Sequence, residues 1–262
     1  MDVLRLTYAW DSLARHARLT LEQPEAGQAC TVPVEDPFPL LLEDLRDLML
    51  GRGGQACAPA VVFAALSDAP EPVGPMPTLS PDTPVATPQG YRAAGTLRRG
   101  DTVLTREGAV VPVLQRLERV VPTCGSFRPI RLRAPYFGLQ QDIVVAPDQC
   151  LLIDGPEVEY LFGREAVLVP ARHLLNGFNA VEEAGRATQR YCQLLLPNHE
   201  TLILAGMPAE SLYIGRLRRQ RDTLAAGLLA QADRALLPEH GRRAHPQLQW
   251  YEAIHLARQR AA

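Results

Sequence analysis

The sequence predicts a mainly β chain with a small N-terminal α+β segment and a helical C-terminal tail. Three observations predict it. Between residues 78 and 215, short runs rich in Val, Ile and Leu recur between Gly, Pro, Asp and Asn, the pattern of many short strands. Before them, one leucine stripe at helical spacing lies among extended runs. After them, residues 216–262 turn to helical periodicity.

At the N-terminus, "DVLRLTYAW" alternates as a strand does. "FPLLLEDLRDLMLGRGG" repeats Leu41, Leu45 and Leu48 along one helical face, with Gly51 as its stop. "APAVVFAALSD" reads as a strand or a buried helix. Residues 1–68 form the first unit, and their motifs point to no chemistry. Prolines then recur through "SDAPEPVGPMPTLSPDTP". Proline fixes its own φ and cannot donate to a ladder, so residues 69–77 read as a semi-rigid linker.

The β segment spans 78–215. "TPVATPQG", "IRLRA", "DIVVAP", "CLLIDG", "EYLFG", "AVLVPA", "YCQLLLP" and "ETLILAG" are its short apolar runs. "REGAVVPV" places a hairpin turn at Glu107-Gly108, and "PARHLLNG" reads as a short helix. In the tail, "RDTLAAGLLAQADRALLPEHG" carries Leu224, Leu228, Leu229 and Leu236 on a rough stripe, with Pro238 and Gly241 as stops. "LQWYEAIHLARQR" is a second, shorter helix.

Composition narrows the function classes. The 262 residues are 47% hydrophobic and 21% charged, and the net charge of −2 gives no lean towards nucleic acid or acidic lipid. The charge is uneven: nine Arg against four acids in residues 216–262 give that tail +5. Arg216, Arg218, Arg219 and Arg221 read as a solvated helix end, with an anionic partner as the sharper alternative. No stretch approaches the roughly 18 apolar residues of a membrane span, and "MDVLRLTYAWDSLARHARL" has no secretory pattern. The five cysteines are odd in number and show no C-x-x-C, which argues against a disulfide frame or a zinc site. Reduced thiols in the cytoplasm are the expectation; export without a leader would leave no mark in these residues. His199-Glu200 is not followed by the second His of a metalloprotease helix. No metal and no cofactor are expected.

Residues 78–215 resemble the Hint (Hedgehog/intein) superfamily, and more narrowly its bacterial Hint-domain branch. The resemblance rests on "TLSPDTPVATPQG", "AAGTLRRGDTVLTREG", "VVAPDQCLLIDG", "EYLFGREAVLVPARHLLNG" and "LLLPNHETLILAGMPAESLYIG", in the family's order. It implies a Hint β-fold and a site for backbone rearrangement. In the family a Cys at the domain start attacks the preceding carbonyl, helped by a T-x-x-H or S-x-x-H block. Carried over by position, the nucleophile falls on Thr78, the polar helper on Ala146 and the histidine on Gln149. A hydroxyl needs a base to become a nucleophile, Ala146 has no hydroxyl, and the Gln149 amide does not exchange a proton near neutral pH. Ser80 is two residues out of register. His199 is a surviving family polar residue in this reading, while Cys150, His173 and Asp101 take structural roles: core packing for Cys150, capping or packing for His173, and a loop tie for Asp101. The resemblance therefore implies a Hint protein inactive in self-cleavage or splicing, a pseudoenzyme that binds a protein partner or serves assembly. The rivals are slow autoprocessing through Thr78 and a component of a phage-derived or secretion-linked assembly.

Overall fold

A computed structural model describes residues 3–24, 26–38, 40–50 and 58–261. Gly51 and Cys57, and the side chain of Leu48, lie outside the described residues. The chain is mainly β, as its short apolar runs predict. Among the described residues, no helix is long and apolar enough to cross a membrane.

The N-terminal segment is a three-stranded antiparallel meander of Arg5–Asp11, His16–Gln23 and Gln28–Glu35. Its register sets Arg5 opposite Glu22, and Glu22 opposite Ala29. The two faces are reversed from the usual rule. Thr20 and Glu22 are buried, whereas Leu6, Leu21 and Val32 on the other face are exposed. The leucine stripe forms the helix Leu42–Leu50. "APAVVFAALSD" forms neither a strand nor a buried helix. Val62 is exposed there, and Phe63 meets Phe127 edge-on at 6.3 Å; the run has no ladder partner, so its apolar residues have no sheet to join. The stretch read as a linker is bonded to the C-terminal tail and to the N-terminal sheet. Val73 N–H donates to Ala226 O at 3.0 Å, and Gly74 N–H donates to the Glu22 carboxylate at 2.8 Å.

The centre of the β unit is a six-stranded sheet. Its order is Ala166–Pro170, Cys150–Asp154, Met207–Glu210, Thr201–Leu204, Pro84–Thr87, Gly90–Ala93. Ala205 and Gly206, both at positive φ, join its two middle strands in a tight hairpin. A Cβ on Gly206 would lie 2.6 Å from Gly138 O, so only glycine fits. Thr102–Leu104 and Val110–Pro112 pair across Glu107-Gly108, the turn the sequence predicts. The long ribbon Gln115–Pro122 with Thr188–Leu195, and a three-stranded sheet ordered Ile143–Val145, Ile130–Leu132, Ala180–Glu182, complete the unit. Leu79, Leu151, Leu194, Leu202 and Leu204 are all fully buried in one core.

Three local departures have physical reasons. "EYLFG" is helical, not extended: it lies in the helix Pro156–Phe162, with proline in the first turn and Gly163 as a left-handed cap. "PARHLLNG" forms a single 3-10 turn, Ala171–Leu174. The helix that the leucine spacing predicts over 221–241 stops after Arg221–Ala225. Gly227 packs against the backbone of Val73, where a Cβ would lie 2.8 Å from the carbonyl oxygen. Leu224, Leu229 and Leu237 turn inward to join Leu195, Leu212 and Ile214. Tertiary burial thus overrides the helical stripe. The last helix, Trp250–Ala261, forms where expected and buries Ala253 and Leu256 in the main core.

Candidate functional site

Leu79 places the site. Its N–H donates to Cys192 O at 3.0 Å and its carbonyl accepts from Cys192 N–H at 2.8 Å. Ser80 N–H donates to Val144 O at 3.0 Å on the other side. Residues 78–80 are therefore wedged between the end of Ile143–Val145 and the strand Thr188–Leu195. Next to this wedge, Ala146 N–H donates to Thr78 O at 2.7 Å, and Gln149 N–H closes the following turn on Ala146 O at 3.1 Å. Three positions separated by up to 71 residues thus come together.

The side chains form a closed triangle. The Thr78 hydroxyl donates to Gln149 Oε1 at 2.6 Å. Gln193 Nε2 donates to Thr78 Oγ1 at 2.8 Å and to Gln149 Oε1 at 2.9 Å. Both amides are oriented by backbone. Gln149 Nε2 faces the carbonyls of Cys150 at 2.9 Å and Glu210 at 3.2 Å, and Gln193 Oε1 accepts Leu194 N–H at 3.2 Å. Each oxygen therefore points where an acceptor is needed. Gln149, Gln193 and Thr78 are all buried, and buried polar groups that answer one another hold a local structure rigid. None of the three takes up or releases a proton near neutral pH. Gln193 was not legible as a site residue. It sits inside "YCQLLLP", which reads as core, and only its polarity among buried neighbours marks it.

His199 belongs to a second cluster. Its Nδ1 accepts Ala244 N–H at 2.8 Å, so the ring proton is on Nε2, which lies 3.2 Å from Glu210 Oε2. Arg243 donates to the same carboxylate oxygen at 2.6 Å and stacks over Tyr213 at 4.5 Å. Burial pushes the Glu210 carboxyl up, but the adjacent His199 ring and the Arg243 charge outweigh it and hold the group below its ordinary range. The backbone of Glu210 touches Gln149, so the clusters adjoin, but the imidazole is committed to Ala244 and Glu210.

The remaining sequence candidates fall as follows. Cys150 is buried with Leu152, Ala166 and Leu168, the small core residue expected. Burial pushes the Cys192 thiol up to about 12, which leaves it inert. Ser80 lines a separate cavity of about 210 Å³ with Asp82, Arg131 and Glu183. Asp101 accepts Arg98 N–H at 2.8 Å and ties its loop. Arg218 and Arg219 both pair with Glu239 at 2.8 and 2.7 Å, so part of the tail's positive charge is answered within the chain. Among the described residues, no cluster of His, Cys, Asp and Glu is arranged to hold a metal ion.

His240 gives the site's surroundings a pH dependence. It accepts Ile214 N–H on Nδ1 at 3.3 Å, and its Nε2–H faces Leu196 O at 3.1 Å. Burial lowers its pKa to about 4. The unfolded imidazole binds a proton from about pH 6.5 downward; the folded one waits until about 4. Stability therefore falls as pH drops through that window, by at most about 3 kcal/mol from this group at ~1.4 kcal/mol per pH unit. His173, lowered to about 4 by burial and then by Arg172, acts in the same direction. Urea melts from pH 7 to 4 are expected to show a shallower decline for His240→Gln than for the parent chain.

Among solved structures, the fold is similar to the MchDnaB-1 intein, at 17% identity and TM-score 0.34, over 51% of this chain and 98% of that one. It is also similar to the bacterial intein-like domain from Clostridium thermocellum, at 13% identity and TM-score 0.39, over 52% and 99%, and to the gp41-1 intein, at 13% and 0.31, over 50% and 96%. No curated protein matches the sequence. The model of the Hint domain matches residues 77–216, which begins one residue before the Thr78 triangle and covers more than half of the sequence, and this chain belongs to the Hint domain family.

Proposed function

We propose that this Hint protein no longer cleaves or splices itself and that it works as an intact binding or assembly module. The observation that carries this reading is the closed triangle. The hydroxyl at the nucleophile's position is hydrogen-bonded to two neutral amides, Gln149 and Gln193. Attack on the Pro77 carbonyl needs a base to take the hydroxyl proton and a polar group to stabilise the developing charge. Gln149 offers an oxygen of negligible basicity. Ala146 offers its backbone N–H, which is already given to the Thr78 carbonyl rather than to that of Pro77. The imidazole of His199 is held by Ala244 and faces Glu210. An acyl shift here would also break a buried, mutually satisfied set of hydrogen bonds before gaining anything in return.

The test is intact mass. The purified chain, incubated with hydroxylamine or dithiothreitol to intercept an ester, is expected to give one species at 28.8 kDa. A fragment that ends at Pro77 would overturn the reading and favour slow autoprocessing through Thr78.

A further inference from the structure

We propose that the cavity between the N-terminal sheet and the Thr78 wedge binds a small zwitterion of the α-amino-acid class, with Arg5 taking its carboxylate and Glu22 its ammonium group. The proposal deepens the binding-module reading and rests on it, because Thr78 and Met76 line the same cavity and a break between them would open it.

The cavity encloses about 370 Å³, within the range of small-molecule sites. Arg5 and Glu22 stand on one wall of it, opposite each other in the register of the first two strands. Glu22 is 4% exposed. Its Oε1 accepts Gly74 N–H at 2.8 Å, but its Oε2 is buried without a hydrogen bond. Arg5 Nη1 is the nearest cation, at 3.9 Å, beyond hydrogen-bond reach, and Arg119, paired with Glu71, stands farther off. The guanidinium is held elsewhere: it stacks on Phe127 at 4.5 Å and lies 3.9 Å from Asp148, and its Nε also lacks a hydrogen bond.

Each partner is thus anchored by other groups, and the gap between them is built in. Gly74 fixes the carboxylate, and the Phe127 ring fixes the guanidinium. A buried carboxylate oxygen ordinarily accepts a hydrogen bond, and burial without one pushes the Glu22 carboxyl up. The ligand that answers both groups carries a donor cation beside an acceptor anion. A simple cation would meet Arg5, and a simple anion would meet Glu22, each a like charge within about 4 Å of the site it seeks. An α-amino acid bears its two charges on one carbon, side by side, and satisfies both groups at once. Among the other charges on the wall, Glu210 pairs with Arg243 and Asp148 with Arg172, and Arg216 adds one positive charge to the lining. Pro24, Pro75, Met76 and Leu212 supply an apolar surface for a side chain.

The experiment is calorimetric titration and thermal shift of the full chain with the proteinogenic L-amino acids, one at a time, beside their N-acetyl amides. At least one free amino acid is expected to bind and to raise Tm with dose, while its N-acetyl amide does neither. Glu22→Gln and Arg5→Met are each expected to weaken binding by ~10-fold or more, the loss of one charge-assisted hydrogen bond. Ala29→Leu, opposite Glu22 on the cavity wall, keeps both charges and is expected to block binding by filling the space. No binding by any amino acid at millimolar concentration overturns the proposal, as does equal binding of the free and N-acetyl amide forms, or undiminished binding by folded Ala29→Leu. Intact mass on the same sample separates the two readings. A cleaved chain refutes the intact module, and an intact chain that binds nothing refutes the site.

Discussion

Glu210→Ala is expected to lower stability by about 3 kcal/mol, the low end of the range for breaking a buried ion pair. Glu210 is 8% exposed, and one of its oxygens takes both Arg243 at 2.6 Å and the Nε2 side of His199 at 3.2 Å. Removing the carboxylate leaves a largely buried guanidinium without its anion. Arg243 retains its stack on Tyr213 and some access to water, which keeps the loss from the upper end of the range. The effect also carries a pH signature. The folded carboxyl is held below its ordinary range, so its contribution is complete above the unfolded carboxylate value, about 4.3. It is lost as pH falls through the folded value. Urea midpoints should therefore differ most between Glu210→Ala and the parent near neutral pH and converge in acid. An undiminished gap at low pH would mean that the loss is one of packing rather than charge.

That carboxylate also marks the limit of what the residues alone disclose. The resemblance located Thr78, Ala146 and Gln149, and those positions do converge, because the blocks that carry the family pattern are the strands and turns that bracket the wedge. Glu210 and Arg243 were not legible. They are 33 residues apart, one at a strand end and one in an irregular stretch, and no local period links them. The N-terminal sheet hid its role differently. Alternation marks its first strand, but a period of two does not say which face is buried. Leucines are normally assigned inward, yet Leu6 and Leu21 face out while Glu22 and Thr20 face the β unit. The inward polar face is what creates the cavity. In the tail, the leucine stripe does not form one helix: Leu229 reaches its core because the chain turns after Ala226, Leu237 joins it from outside the stripe, and Leu236, which the stripe included, is exposed. Where the outcome depended on partners distant in sequence, periodicity had nothing to register.

Restoring the three altered positions together, Thr78→Cys, Ala146→Thr and Gln149→His, is expected to bring back thiol-dependent cleavage before residue 78. The triangle supplies the geometry. Gln149 Oε1 stands 2.6 Å from the Thr78 oxygen, so an imidazole on the same backbone reaches a sulfur there and can carry its proton near neutral pH. The neighbouring turn holds position 146 against the Thr78 carbonyl at 2.7 Å, which sets a new hydroxyl one peptide along from the reacting Pro77–Thr78 bond. The three singles are expected to stay at full length, since groups that act as a unit are strongly non-additive. A lone thiol faces an amide oxygen that cannot take its proton, and a lone imidazole serves a hydroxyl of far lower acidity. Gln193 remains in the triple variant and still donates to position 149 or 78, a contact that positions without titrating. The Ala146→Thr change adds bulk among Val121, Tyr191 and Phe127 and costs about 1 kcal/mol in packing, small enough for the fold to survive. The measurement is the fraction of chain ending at Pro77 after incubation with dithiothreitol. A folded but inert triple variant would show that the backbone before Thr78 has moved out of reach of the nucleophile, since a misplacement of about 1 Å is enough to stop such a reaction. Cleavage by Thr78→Cys alone would place the base outside the triangle, and His199 would have to leave Ala244 and Glu210 to supply it.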